Sequence, residues 1–153
     1  MSAVLKPVIE LRQMTEADLP AVLALENAIY LFPWTPGNFR DSLNAGYGGW
    51  TCVREGELIG YAVVMLALEQ AHLLNLSIAA AQQRQGFGSL LLQRLCDLAR
   101  AQGARQMMLE VRPSNAAGLR LYQQHGFARI GLRRDYYPAE NGREDALILS
   151  LPL

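Results

Sequence analysis

Gln83-Arg84-Gln85-Gly86-Phe87-Gly88 stands between two segments of different periodicity. Before it, Leu73 to Ile78 is a short, mostly apolar run that reads as a strand. After it, Leu90, Leu91, Leu95, Leu98 and Ala99 recur at helical spacing, and Gly103 is placed to cap that helix. A glycine turn between a strand and a helix suits an anion. The glycines let backbone N–H groups approach a ligand, and the helix N-terminus adds partial positive charge. Arg84 adds a formal charge beside it. These six residues alone also fit a turn with no ligand. A dinucleotide fingerprint needs a further glycine where Leu91 stands, and a triphosphate loop needs Gly-Lys followed by Ser or Thr, which the chain lacks.

Working upstream, Val8 to Arg12 reads as a short first strand, and a helix follows with Asp18 as N-cap, Pro20 in its first turn and Val22, Leu25 and Ile29 on its apolar face. Phe32-Pro33-Trp34-Thr35-Pro36 interrupts that helix. Thr35 or Asn38 starts a second, short helix through Leu43, ended by Gly46, Gly48 and Gly49. Trp50 to Arg54 and Leu58 to Leu68 are strands flanking a tight turn at Glu55-Gly56-Glu57, with a break at Glu69-Gln70-Ala71 before the Leu73 strand. Downstream, Gln106 to Val111 is a strand and Asn115 to His125 a helix ended by Gly126. Phe127 to Arg133 and Leu147 to Leu151 are the last strands, with a polar loop from Tyr136 to Arg143 between them. The pattern predicts one α+β domain over residues 1–153. It has a central, mostly antiparallel twisted sheet of about six to seven strands flanked by about four helices.

Composition narrows the partners. The chain is 51% hydrophobic and 18% charged, which argues for a packed core rather than disorder. Fourteen basic residues balance fourteen acidic ones, so no net field draws the chain to nucleic acid or an anionic membrane. Cys52 and Cys96 have no metal-ligand spacing around them and read as reduced, packed thiols; no metal is expected. Met1 to Glu10 carries no apolar stretch of signal-peptide length, and no run approaches membrane-spanning length, so the cytoplasm is the expected location.

Beyond the loop, Leu109-Glu110-Val111-Arg112-Pro113-Ser114-Asn115-Ala116-Ala117, then Leu121-Tyr122, then Gly126-Phe127 follow in fixed order. Together with Gln/Arg-x-x-Gly-x-Gly, this resembles the C-terminal half of the GNAT acetyltransferases. Phe32-Pro33-Trp34, Arg133-Arg134-Asp135-Tyr136-Tyr137-Pro138 and Gly142-Arg143-Glu144-Asp145-Ala146 are similar to one subgroup, the RimI-type N-terminal alanine acetyltransferases of bacteria. The resemblance implies the GNAT fold and acetyl-CoA as cosubstrate. It also implies an acceptor: the N-terminal peptide of a small-subunit ribosomal protein beginning with alanine and followed by basic residues.

Carried over residue by residue, the resemblance implies that Glu110 is the general base and Tyr122 the general acid. Leu76, Ser77 and Ile78 would bind the pantetheine arm through their backbone. Arg84, Gln85, Gly86, Phe87, Gly88 and Ser89 would hold the pyrophosphate, and Asn115 would hydrogen-bond the cofactor. Trp34, Tyr136 and Tyr137 would contact the acceptor peptide, with Glu140, Glu144 and Asp145 welcoming its basic residues. Two departures stand out. Ala79-Ala80-Ala81 replaces the Asp-Pro that many such enzymes carry, and Ser89 stands where close relatives often have a basic residue.

The chemistry agrees with these residue types. An amine attacks a thioester only as the neutral base. A peptide α-amino group has a pKa near about 8, so roughly a tenth is neutral at pH 7, whereas a lysine near about 10.4 would cost roughly 3 kcal/mol more to deprotonate. A modest base suffices, acting directly or through water. The leaving thiolate needs a proton donor, which a phenol can be. On the residues alone, Glu110 is equally a surface carboxylate paired with Arg112, Tyr122 a core tyrosine beside Leu119 and Leu121, and Asn115 a helix cap. His72 and His125 fall outside the matched positions and carry no expected role. Two alternatives remain open at this stage: an acetyltransferase for a small amine such as a polyamine or drug, and a non-catalytic acetyl-CoA-binding module.

Overall fold

The computed structural model describes residues 9–153; Val8 of the expected first strand, with the rest of residues 1–8, lies outside the described residues. Along the chain follow β1 (Glu10–Gln13), α1 (Leu19–Ile29), α2 (Pro36–Asn44), β2 (Gly48–Arg54), β3 (Glu57–Ala67) and β4 (Gln70–Ile78), then α3 (Phe87–Ala101), β5 (Gln106–Val111), α4 (Ala116–Gln124), β6 (Ala128–Ala139) and β7 (Gly142–Pro152). The strands form one sheet in the order β1-β2-β3-β4-β5-β7-β6. Every pairing is antiparallel except β4 with β5. This is the mixed α+β architecture that the periodicity predicts. Among the described residues no helix is long and apolar enough to cross a membrane.

Helices cover both faces of the sheet. Phe87, Leu91, Leu92 and Leu95 of α3 pack with Ala62, Leu73, Met107 and Leu109 on one side. Leu19 and Val22 of α1 and Phe39 of α2 pack with Tyr61 and Val63 on the other. Local chemistry sets the helix ends. Thr35 and Asn38 cap α2 reciprocally, each side-chain oxygen accepting from the other's backbone N–H at 3.1 and 2.9 Å. Asp18 stands at the N-cap of α1, but its carboxylate turns back to accept from Thr15 N–H at 2.8 Å. It thereby closes a short 3₁₀ turn ahead of the helix.

The last two strands differ from the sequence reading. The expected polar loop is a hairpin: β6 runs to Ala139 and β7 begins at Gly142. Register shifts between Arg133↔Ala146 and Tyr137↔Glu144, and Asp135 in this stretch has φ 51°. Side chains stitch the irregularity. Asp135 N–H donates to Asp145 Oδ1 at 2.9 Å, while Arg143 donates to the Asp135 and Tyr136 carbonyls at 2.7 and 2.9 Å. Charges that read as loop residues therefore bond to the strand backbone.

The parallel pairing is short. It runs from Gln70↔Gln106 to Leu73↔Leu109, although β4 continues to Ile78 and β5 to Val111. A bulge explains the parting. On the β3 side the register jumps from Val64↔Leu73 to Val63↔Asn75, leaving Leu74 as an extra residue on β4 just past the last parallel pair. An extra residue bends its strand. Beyond it, β4 stays with β3 and β5 stays with β7, so a cleft opens between them.

Gly60 allows β3 to follow that bend, because a Cβ there would lie 2.7 Å from both the Ser77 carbonyl oxygen and Ile78 Cδ1. Replacing Gly60 with Ala is expected to cost about 1–3 kcal/mol of stability through overpacking, read by denaturant unfolding. Unchanged unfolding would contradict the close approach.

Candidate active site

Glu110 lies one residue past the last parallel pair, on the face of β5 opposite the one that buries Leu109 and Val111 under α3. Its side chain is only 9% exposed. His72 Nε2 lies 2.6 Å from Glu110 Oε2, and Arg133 reaches within 3.9 Å of Oε1. The hydrogen bond from His72 outweighs burial and, with the Arg133 charge, holds the Glu110 carboxyl below its ordinary range. Arg112 does not pair with Glu110. It donates to Glu144 Oε1 at 3.2 Å and to the Pro138 carbonyl at 2.8 Å.

Tyr122 is buried in the last turn of α4. That helix ends in a Schellman motif: Phe127 N–H bonds the Tyr122 carbonyl and Gly126 N–H the Gln123 carbonyl, both at 3.0 Å, with Gly126 at φ 95°. The hydrophobic contact that accompanies such an ending is the Tyr122–Phe127 ring pair, with centroids 5.6 Å apart. Burial first, then the nearby Tyr30 and Tyr137 hydroxyls, pushes the Tyr122 phenol well above its ordinary pKa. It stays protonated at neutral pH and can donate.

The glycine loop leads from β4 into α3. Gln83 Nε2 donates to the Ile78 carbonyl at 2.9 Å, tying the loop to the strand end. Arg84 has φ 64°, Gly86 has φ 84°, and Gln85 Nε2 donates to the Ala81 carbonyl at 3.3 Å. Phe87 is buried in the core, so its side chain is not available to a ligand. The first α3 bond runs from Leu90 N–H to the Gly86 carbonyl at 3.0 Å, which leaves the N–H groups of Phe87, Gly88 and Ser89 without intrahelical partners. Ser89 Oγ contacts His125 Nε2 at 2.9 Å. Asn115 caps α4, its Oδ1 accepting from Gly118 N–H at 2.9 Å.

Leu76, Ser77 and Ile78 lie on the β4 stretch beyond the parallel pairing. The Ser77 side chain does more than a strand residue needs to. Its hydroxyl bonds Tyr30 Oη at 2.6 Å and donates to Asn75 Oδ1 at 2.8 Å, while Asn75 and Tyr61 donate to Glu26 Oε1 at 3.1 and 2.7 Å. Glu26 Oε2 accepts the Trp34 N–H at 2.9 Å, so the network binds the segment between α1 and α2 to β4.

Of the aromatic residues expected at the acceptor, Tyr136 and Tyr137 pack edge to face at 4.8 Å. The Arg112 guanidinium stacks on Tyr137 at 4.3 Å and reaches Phe32 at 5.5 Å. Trp34 stands apart, its ring packed on Phe39 at 5.1 Å. Two of the three expected acidic contacts are already engaged: Glu144 by Arg112 and by the Ser114 N–H and hydroxyl, and Asp145 by Asp135 N–H. The sequence reading missed His72, Tyr30, Phe32 and Arg112. Phe32, within the quoted Phe32-Pro33-Trp34 motif, and Arg112, within the quoted Leu109 to Ala117 run, carried a signal that could have found them.

The acetyltransferase (GNAT) family model matches residues 11–127. The chain belongs to the GNAT family. Relatives of this GNAT enzyme include the [Ribosomal protein bS18]-alanine N-acetyltransferase of Escherichia coli K12, 38% identical over 136 residues, covering 89% of this chain and 92% of the relative. A putative [ribosomal protein bS18]-alanine N-acetyltransferase of Bacillus subtilis is 31% identical over 140 residues, covering 90% of this chain and 91% of the relative. The crystal structure of the ribosomal-protein-S18-alanine N-acetyltransferase from Escherichia coli superposes with a TM-score of 0.88 at 35% identity, covering 95% of this chain and 94% of that one. The chain is thus an acetyl-CoA-dependent N-acetyltransferase with the GNAT fold.

A Cβ at Gly88 would meet Leu121 Cδ2 at 3.5 Å and Ile78 Cγ1 at 3.8 Å, ordinary contacts. Packing therefore does not demand glycine there, whereas an anion seated on the helix end would meet the added methyl. Gly88→Ala is expected to leave the unfolding midpoint intact and weaken acetyl-CoA about tenfold by calorimetry, roughly 1.4 kcal/mol. Equal affinity in the two proteins would count against this seat.

Proposed function

We propose that this enzyme acetylates the α-amino group of an N-terminal alanine on a small-subunit ribosomal protein, in the cytoplasm, with the chain acting as one catalytic domain. The observation that carries the chemistry is the β4–β5 cleft, with an ionised carboxylate at Glu110 and a protonated phenol at Tyr122. Similarity to bS18-alanine acetyltransferases over about nine-tenths of the chain supports the acceptor.

In this reading the freed β4 edge at Leu76, Ser77 and Ile78 offers backbone groups to the pantetheine arm, and its N–H groups polarise the thioester carbonyl. Arg84, Gln85 and the backbone of Gly86, Phe87, Gly88 and Ser89 hold the pyrophosphate. Asn115 keeps its cap and presents its amide nitrogen to the cofactor. Glu110 draws the proton from the acceptor ammonium, directly or through one ordered water, and the neutral amine attacks the acetyl carbon. Tyr122 supplies the proton that the departing thiolate takes. Tyr136 and Tyr137, with Trp34 behind the neighbouring segment, frame the acceptor peptide. Since Glu144 and Asp145 are occupied, aromatic contacts and Glu140 carry more of its recognition than an acidic patch would.

Free-thiol release separates acceptors. With acetyl-CoA, the chain is expected to turn over hexapeptides beginning with alanine and to leave lysine side chains and polyamines nearly untouched. Release with polyamines alone would assign it to small amines instead. Glu110→Gln is expected to lower kcat/KM by about 10²–10⁴ at pH 7, with a smaller loss at alkaline pH where the amine is already neutral. The folded-state pKa of Glu110 is depressed, so in the wild type this carboxylate stays charged as pH falls through the ordinary carboxylate range, and loss of rate near neutrality does not report its protonation. Tyr122→Phe is expected to lose turnover about 100-fold with acetyl-CoA affinity nearly intact. Normal turnover would remove the acid role.

A further inference from the structure

Beyond Leu147 the β6–β7 hairpin runs on without β5. The last β5–β7 pair is Val111↔Leu147, whereas β6 and β7 stay paired out to Ala139↔Gly142. A two-stranded ribbon is marginal by itself, and this one carries a register shift and a residue at positive φ, Asp135. It also carries Tyr136 and Tyr137, the rings set against the acceptor in the proposed function. Tyr137 stands beside the chemistry: burial first, then the Glu110 charge, raises its phenol.

Arg112, the residue after that last β5 pair, reaches along the ribbon. Its Nη1 donates to the Pro138 carbonyl at 2.8 Å and to Glu144 Oε1 at 3.2 Å. The guanidinium carbon lies 4.3 Å from the Tyr137 ring centre and 5.5 Å from that of Phe32. Glu144, opposite Tyr137 in the ribbon, is held in turn by the Ser114 N–H and hydroxyl, both at 2.9 Å. The Arg112 and Glu144 side chains are 25% and 22% exposed, so water screens them less than it screens a surface pair. Phe32 is 39% exposed and belongs to neither apolar cluster of the sheet faces. One cation thus joins the end of β5, the ribbon and the segment between α1 and α2.

Resting on the reading of this cleft as an N-terminal acetylation site, we propose that Arg112 is the positioning residue of the acceptor groove. It holds Phe32 and Tyr137 at the spacing that admits a peptide N-terminus to Glu110. Glu110 and Tyr122 keep their roles as base and acid. Arg112 acts through the two rings and touches no reacting atom. The task suits a planar cation with several donors. A lysine ammonium is a compact point charge that can pair with Glu144, but it cannot lay a flat face on a ring while bonding both carboxylate and carbonyl.

The test follows thiol release by the intact chain with saturating acetyl-CoA and an alanine-initiated hexapeptide. Arg112→Lys and Phe32→Leu are each expected to raise KM for the peptide about tenfold, with kcat within about threefold and acetyl-CoA affinity within about twofold. The double variant is expected to be no worse than the worse single one, because either change already breaks the stack. Unchanged peptide KM in Arg112→Lys overturns the proposal. So does a loss carried by kcat at constant KM, and so do effects that multiply in the double variant as independent sites would. A fall in acetyl-CoA affinity as large as the rise in peptide KM overturns it too, since a merely structural role would disturb both sites. Phe32→Leu leaves the Arg112–Glu144 pair in place, so if Arg112→Lys fails to fold, unchanged KM in Phe32→Leu is decisive against the proposal. No thiol release by the wild type with any amine overturns the acetylation reading itself.

Discussion

The bulge at Leu74 is the constraint from which the site follows. Two parallel strands that stayed paired to their ends would leave no unsatisfied backbone between them, because each N–H and C=O would have a strand partner. The extra residue bends β4 away from β5 just after Leu73↔Leu109, while β3 and β7 keep hold of the two outer edges. Backbone groups at the end of β4 are thereby left facing a cleft, and Glu110 stands beside the point of parting. Gly60 permits the bend on one side, and the Gln83 amide fastens the strand end to the loop on the other.

The bend also turns polar side chains into the interior, where they must be satisfied. Asn75 and Ser77 point toward α1 and join Tyr30, Tyr61 and Glu26. Glu26 is 2% exposed and among the described residues has no cationic partner; three neutral donors hold it instead. Among the described residues no buried side-chain nitrogen or oxygen is left without a hydrogen bond. One of the three donors is the Trp34 backbone. The segment before α2 is therefore hinged to the same strand that borders the cleft, so displacement of one disturbs the other.

Electrostatics sets Glu110 and Tyr122 apart. A hydrogen bond and a nearby cation favour the charged form at Glu110, whereas burial among other hydroxyls favours the neutral form at Tyr122. Pushing two titratable groups apart in this way lets one remain a base and the other an acid at the same pH. The third feature is the Phe32–Arg112–Tyr137 stack, which joins the segment before α2 to the β6–β7 hairpin across the cleft.

The resemblance to a known family named Glu110 and Tyr122 as candidates, while the sequence by itself determined the strand–glycine loop–helix unit, the helix ends at Thr35 and Gly126 and the order of the elements. Those signals are local: periodicity, punctuation and spacing act over a few residues. The tyrosine hairpin was misread as a loop because the side chains that stabilise it, Arg143 and Asp145, bond to backbone on the facing strand. Arg112 looked like the partner of Glu110 from its two-residue spacing, yet pairs with Glu144, 32 residues away. His72 showed no signal because its contact with Glu110 spans 38 residues and exists only through the short parallel pairing. Tertiary structure alone decided which charges meet, because strand register, and not distance along the chain, sets which side chains become neighbours.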